Sequence, residues 1–499
     1  MKNPYSGFKV WFVTGSQHLY GEETLKQVSN DSREIVSGLN SSGRLPAEII
    51  FKGTATRPDE ILKVCREANN SGECAGLVFW MHTFSPAKMW IAGLRELSKP
   101  FAHLHTQFNR EIPWDTIDMD FMNLNQSAHG GREFGFIVSR MRKYRHVIVG
   151  HWQDEEVRRE LGDWMRAAAG VMDCRSLKVA RFGDNMRSVA VTEGDKVAAE
   201  ESFGYSVDGY GVGDLTAVID TVSETEADRT VQEYHDLYEL DPGAGTRKEP
   251  HPAIREEARI EVGMRRFLEE GGYSAFTTTF EDLHGLKQLP GFSVQRLMAD
   301  GYGFGAEGDW KTAALTRTLK VTGYGQTGGT SFMEDYTYNF GSDGGQVLGA
   351  HMLEICPSIA DGKPRLAVFP LGIGGKSDPA RLIFTAAAGP ALNTTIIDLG
   401  DRFRMVVNEV ETITPEHAME KLPVARALWE PKPNLNVAAA AWIQAGGAHH
   451  SVYSQAVTAR QLEMLAGIWG IEMLLIDGET RLRDIMNEIR WNEAYYARR

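Results

Sequence analysis

Val10-Trp11-Phe12-Val13-Thr14, closed by the turn Gly15-Ser16, decides the architecture. A short apolar run stopped by small turn residues reads as a strand buried on both faces. Working outward, a polar helix-patterned stretch covers 22–39, and 48–51 reads as the next strand. A helical run over 58–69 separates it from a strand at 76–80. A helix over 86–97 and a strand over 100–105 follow. Strands alternating with helices predict parallel β-α-β units covered on both faces. Loops after the carboxyl ends of such strands are the natural place for a site.

Residues 146–149 predict one more strand, and 153–172 a long charged helix leading away from it. A second strand series opens at 177–180 and ends in the turn Gly183-Asp184. Residues 242–252, rich in Pro, Gly and charge, read as a connector. Helices are expected at 253–269, at 309–321 and ending over 294–300, with a strand at 274–279. Beyond about residue 325 the texture changes. Glycines crowd 323–329 and 341–349, and strand-like pieces follow at 347–354, 365–369, 394–399 and 402–414. A helix at 460–469 and a strand at 471–476 come near the end. The expected fold is α/β in three domains. The first two, 1–175 (N-terminal) and 176–325 (central), carry Rossmann-like parallel sheets covered by helices. The third, 326–499, is largely antiparallel and barrel-like.

The 499 residues carry a net charge of −14. That surface is a poor match for a nucleic-acid backbone or an anionic membrane, so neither is expected as a partner. No apolar run reaches the length of a membrane span, and residues 8–13 are too short for the core of a signal peptide. Cys65, Cys74, Cys174 and Cys356 are scattered, with no C-x-x-C pair. They read as buried free thiols in a reducing compartment, and a cytoplasmic location is expected.

Several motifs fail on inspection. Gly303, Gly305 and Gly308 match G-x-G-x-x-G, but a dinucleotide site needs a strand before them, and 294–300 reads as helix. Gly375-Lys376-Ser377 resembles the end of a phosphate-binding loop, yet its first glycine is replaced by Pro370. Nucleophile-elbow, H-E-x-x-H and EF-hand patterns are absent from the sequence. What remains is a set of acids and imidazoles beside glycine-rich turns: Glu307, Glu334, His351 and the pair His449-His450. Two carboxylates and two imidazoles suit a divalent ion with open positions for substrate oxygens. Oxygen ligands favour Mn²⁺, Mg²⁺ or Co²⁺, and imidazole shifts the choice toward transition metals. Surface acids and ordinary polar histidines are the alternative reading of the same residues.

The chain as a whole resembles the L-arabinose isomerase family. The resemblance rests on Trp11-Phe12-Val13-Thr14-Gly15-Ser16-Gln17-His18-Leu19-Tyr20-Gly21 and His82-Thr83-Phe84-Ser85-Pro86. It continues through Phe121-Met122-Asn123-Leu124-Asn125-Gln126, His129-Gly130-Gly131 and Arg181-Phe182-Gly183-Asp184-Asn185-Met186-Arg187. Thr277-Thr278-Thr279-Phe280-Glu281-Asp282-Leu283-His284-Gly285, Gly308-Asp309-Trp310-Lys311-Thr312 and Ala445-Gly446-Gly447-Ala448-His449-His450 complete it.

The resemblance implies an enzyme interconverting L-arabinose and L-ribulose, with D-galactose to D-tagatose as a second reaction. It implies one Mn²⁺ per subunit, replaceable by Co²⁺ or Mg²⁺, held by Glu307, Glu334, His351 and His450. Choosing His450 over His449 follows the family pattern; in an extended segment adjacent side chains point apart, so only one should reach the ion. The reaction moves a proton between C1 and C2 of the open-chain sugar through an ene-diol. Glu307 and Glu334 are assigned jointly as its base and acid. The sugar pocket is expected to draw on Gln17, Leu19, Phe84, Met186, Tyr336 and Ile373. Gln126 and His129 are expected to reach a neighbouring subunit's pocket in a hexamer built as a dimer of trimers. Gln346 stands where the resemblance leads one to expect an apolar residue; it either bonds a sugar hydroxyl or faces solvent. Two other functions compete: a catalytically silent sugar-binding protein and a nicotinamide-dependent sugar dehydrogenase. The four ligand positions argue against the first, and the misplaced glycine motif against the second.

Overall fold

The computed structural model describes residues 1–341 and 344–496. By its packing the chain forms two compact units. One holds Asn3–Met172 together with Arg460–Gly470, and the other holds the remaining described chain.

In the first unit, strands β1 (Lys9–Gly15), β2 (Glu48–Ala55), β3 (Cys74–Met81), β4 (Phe101–His105) and β5 (His146–Val149) form one sheet. Its order is β2-β1-β3-β4-β5, with every pairing parallel. All eight residues of β3 are buried, as a central strand covered on both faces requires. Phe79, Trp90, Phe101 and Phe134 pack edge to face with ring centroids 5.0–5.7 Å apart. Each such buried ring contributes about 1.5–3 kcal/mol. Strand order reverses between β1 and β3, so the loops leaving their carboxyl ends flank a switch-point crevice. Gly15 closes β1 because a Cβ there would lie 2.3 Å from the Met81 sulfur and 2.8 Å from the Trp90 ring. The helix Ala459–Trp469 contributes 460–469 to this unit, where Gln461 donates to Asp163 at 2.7 Å.

The second unit begins with another parallel sheet. Strands β6 (Lys178–Phe182), β7 (Ser206–Tyr210), β9 (Ala275–Thr278) and β10 (Gly303–Ala306) lie in the order β10-β9-β6-β7. A short β8 (Glu239–Leu240) joins a small separate sheet with β13 (Arg365–Val368) and β14 (Ala380–Ile383). The remaining strands are β11 (Thr330–Asn339), β12 (Gln346–Ala350), β15 (Gly389–Asp398), β16 (Phe403–Ile413), β17 (Arg426–Pro431), β18 (His450–Ser454) and β19 (Glu472–Ile476). They form a mixed sheet in the order β15-β18-β11-β12-β17-β16-β19, with β15 also paired along its length to β16. All its pairings are antiparallel except β16 with β19.

Two local expectations change. Gly303 and Gly305 of the glycine motif lie on strand β10 itself, with Gly308 in the turn after it and the helix Trp310–Thr322 following. Cβ atoms at Gly303 and Gly305 would fall 2.1 Å and 2.3 Å from the carbonyls of Ala313 and Asp309. Those glycines let the helix settle on the strand. The strand expected over 347–354 stops at Ala350, and the chain then turns so that Glu354 faces back toward His351.

Candidate metal centre

Glu307 follows β10 with φ of +61°, between Ala306 and Gly308, whose φ is +83°. A non-glycine residue in the left-handed region is strained by about 1–3 kcal/mol. The surroundings hold it there. The Glu307 carbonyl accepts from the Met186 amide at 2.9 Å. A Cβ on Gly308 would strike the backbone of Asn185 at 2.5 Å. Glu334 comes from β11, directly across from His450 on β18 and from Ala350 on β12. His351 is the next residue after Ala350. Sheet register therefore gathers Glu334, His351 and His450, and the turn after β10 adds Glu307.

Inside the cluster, His450 Nε2 lies 3.7 Å from Glu307 Oε2, and His351 Nε2 lies 3.9 Å from Glu334 Oε2. His449 Nε2 stands 3.8 Å from Glu334 and 4.0 Å from Glu307. Donor atoms of Glu307, His449 and His450 all fall within 4.8 Å of one another. Both of the paired imidazoles face the carboxylates. His449 sits in a bend before β18 begins, so strand alternation does not apply to it.

The two fully buried imidazoles are each backed by a buried acid. His351 Nδ1 lies 2.5 Å from Glu354 Oε2, and His450 Nδ1 lies 3.2 Å from Asp309 Oδ2. A carboxylate on Nδ1 fixes the tautomer that leaves Nε2 with its lone pair. His450 Nε2 is buried and has no hydrogen-bond partner. His449, in contrast, is 41% exposed in its side chain. Phe332 floors the site, with its ring 5.1 Å from His351 and 5.3 Å from His450.

Electrostatics follow the geometry. Burial disfavours the charged form of Glu307, but His449, His450 and His351 outweigh it and hold its pKa below the ordinary carboxylate value. Burial likewise opposes ionisation of Asp309, and Lys311, His450 and Thr312 reverse it. For His351, burial works against protonation, while Glu354, then Glu334 and Glu307, raise its pKa overall. Oxygen and imidazole donors converging on an orphaned ring nitrogen fit a divalent transition ion.

Of the residues expected in the sugar pocket, Met186 is tied to Glu307 through the backbone. Tyr336 lies two residues beyond Glu334 on β11; burial raises its phenol pKa, with the charges of Glu334 and Glu307 adding to it. Ile373 is exposed in the loop between β13 and β14. The other five belong to the first unit. Gln17 and Leu19 follow β1, and Leu19 is exposed. Phe84 follows β3, with its ring 4.6 Å from that of His129. His129 Nδ1 lies 3.2 Å from Gln126 Oε1, and the Gln126 amide bonds the carbonyl of His82. Gln346 uses its side chain on Asn339 at 2.9 Å and Glu430 at 3.4 Å, away from the cluster.

Asp309 and Glu354 were not anticipated as site residues. The signal for Glu354 was an acid three residues beyond His351. Asp309 also caps the helix Trp310–Thr322, accepting from the Thr312 amide at 3.2 Å. A separate cavity of about 550 Å³ lies between the helices Glu224–Leu237 and Pro252–Gly271. Its arginines are paired with Glu226, Glu233, Glu261 and Asp300.

Within the second unit, a parallel sheet, a mixed sheet and the carboxylate–imidazole cluster that both supply define an α/β protein with a candidate divalent-metal centre. Family models for the L-arabinose isomerase N-terminal, central and C-terminal domains match residues 4–176, 178–325 and 329–472. Named L-arabinose isomerases show the same likeness over whole chains. That of Anoxybacillus flavithermus is 60% identical over 493 residues, 99% of this chain and 98% of the relative. That of Geobacillus stearothermophilus is 59% identical over 99% of both chains. That of Yersinia pseudotuberculosis is 60% identical over 98% of both. The chain belongs to the L-arabinose isomerase family.

Proposed function

We propose that the protein interconverts L-arabinose and L-ribulose, and D-galactose and D-tagatose, through an ene-diol. Family membership over nearly the whole chain supports the reaction class. The observation that carries the site is His450: buried, anchored through Nδ1 on Asp309, and offering an unpartnered Nε2 beside Glu307. Glu307, Glu334, His351 and His450 hold the ion, Mn²⁺ by preference, with Co²⁺ or Mg²⁺ as substitutes. When bound, the ion polarises the substrate carbonyl and offsets negative charge developing on its oxygen. Glu307 and Glu334 move the proton between C2 and C1, one removing it and the other returning it. Met186, Tyr336 and Ile373, with Gln17, Leu19 and Phe84, contact the sugar.

The same reading divides the chain at 175 and 325, in line with the spans of the three family models. The pairing of β15 with both β18 and β16 supports reading the mixed sheet as barrel-like. Gln126 and His129 serve the pocket of a neighbouring subunit in a hexamer. Four buried free thiols suit the cytoplasm.

Ketose formation from L-arabinose by chelator-stripped protein, with and without Mn²⁺, tests the proposal. Turnover that depends on the ion is expected. Folded, hexameric protein that forms no ketose in either condition would overturn it in favour of a silent sugar-binding protein.

A further inference from the structure

Gly375-Lys376-Ser377, which failed as a phosphate loop, has another use. Lys376 donates to the carbonyls of Leu283 at 2.6 Å and Leu286 at 2.9 Å. The next amide, Ser377, bonds the Lys287 carbonyl at 3.0 Å. At the other end of the loop, Arg381, 1% exposed, donates to the Phe369 carbonyl at 2.7 Å. The exposed stretch between these anchors carries Ile373 and runs through Gly374 and Gly375 with φ of +78° and +60°. Two left-handed glycines leave the stretch little stiffness of its own, so the anchors set where Ile373 stands.

Segment 279–288, which receives Lys376, also receives the loop that carries Met186. Arg187 reaches Glu281 at 3.1 Å and Asp282 at 2.7 Å, and its amide bonds Glu281 at 2.8 Å. The Asp184 amide bonds Asp282 at 3.1 Å. Leu283, Leu286 and Leu289 are buried beneath, so the segment is a firm base. An exposed ion pair such as that of Arg187 adds little stability. Lys376, half-buried and bonded to two carbonyls, is the stronger tie.

We infer that Lys376 is a positioning residue that fixes the distance between Ile373 and Met186 across the sugar pocket, and so sets the preference between five- and six-carbon aldoses. The inference rests on the proposed isomerase reading. One extra hydroxymethyl group is the difference to be read, and pockets distinguish a single carbon by roughly 10–200-fold at most.

The test compares Lys376→Met and Lys376→Arg with the wild type. Hydrogen exchange of amides 371–377 is measured first, in protein without sugar. Then kcat and KM are measured for L-arabinose and D-galactose, together with calorimetric affinities for L-arabinitol and galactitol. Lys376→Met is expected to speed exchange in the loop and raise KM. It should change the arabinose-to-galactose ratio of kcat/KM by about fivefold or more, leaving kcat within about twofold. Lys376→Arg, which can donate to the same carbonyls, should restore most of the ratio. Faster exchange with an unchanged ratio and unchanged polyol affinities would overturn the inference, as would unchanged exchange. Wild-type protein that turns over neither sugar refutes the isomerase reading instead; the exchange and polyol arms then still decide whether Lys376 positions the pocket.

Discussion

Replacing Glu354 by glutamine isolates what an outer carboxylate does for the ion. Glu354 Oε2 faces His351 Nδ1 at 2.5 Å and accepts from the Leu353 amide at 3.1 Å. Glutamine keeps the shape and an acceptor oxygen but removes the charge. A charge-assisted bond is roughly twice as strong as a neutral one, and losing such a partner typically lowers metal affinity about 10–100-fold. That corresponds to about 1.4–2.7 kcal/mol. A second effect follows from Arg381. Burial lowers its pKa to about 10, opposed by the charges of Glu354 and Asp378. Without Glu354 that buried guanidinium is less compensated, and stability falls on the order of 1–3 kcal/mol. Chelator-stripped wild type and Glu354→Gln would be titrated with Mn²⁺ by calorimetry, at a temperature where circular dichroism shows both folded. The dissociation constant is expected to rise 10–100-fold, by about the margin above. A folded variant that binds Mn²⁺ within about twofold of wild type would refute the argument that the carboxylate tunes His351.

Three further outcomes follow. His450→Ala should abolish detectable Mn²⁺ binding, whereas His449→Ala, removing a half-exposed ring with no acid behind it, should keep affinity within roughly tenfold; equal losses in calorimetry would reverse the assignment. Burial raises the pKa of Glu257 from the ordinary 4.5 to about 8, against hydrogen bonds from Ser293 and Gln288. The folded state therefore holds an extra proton between those values, and this group's contribution to stability is full below 4.5 and lost as pH rises toward 8. Glu257→Gln should flatten that part of the pH dependence in urea unfolding, and an unchanged slope would count against it. Gln346→Leu should leave the arabinose-to-galactose ratio unchanged, because its amide is engaged with Asn339 and Glu430; a shifted ratio in paired kinetics would restore it as a sugar contact.

Legibility in the sequence tracked how local the cause was. Buried strands such as β3, apolar at nearly every position, were read directly, as were the helices Pro252–Gly271 and Trp310–Thr322. The hairpin strand carrying Glu334 was not, since its outer half, from Thr337 to Asn339, is exposed and polar or aromatic. Glu307 was placed correctly in a turn before a helix, because glycines on either side announce close backbone approach. The strand before that turn was missed, since Gly303 and Gly305 hide strand propensity while serving the packing of the helix.

By itself the sequence determined the alternating α/β character, the acidic surface and the residue types of the centre, all properties of short windows or of composition. The tertiary structure alone decided which acid backs which imidazole. Pairing Glu334 with His450 needs β11 and β18 in one register. Setting Asp309 behind His450 needs the helix start after β10 to meet that sheet. Such contacts join distant segments through sheet register and helix packing, and no local periodicity carries that information.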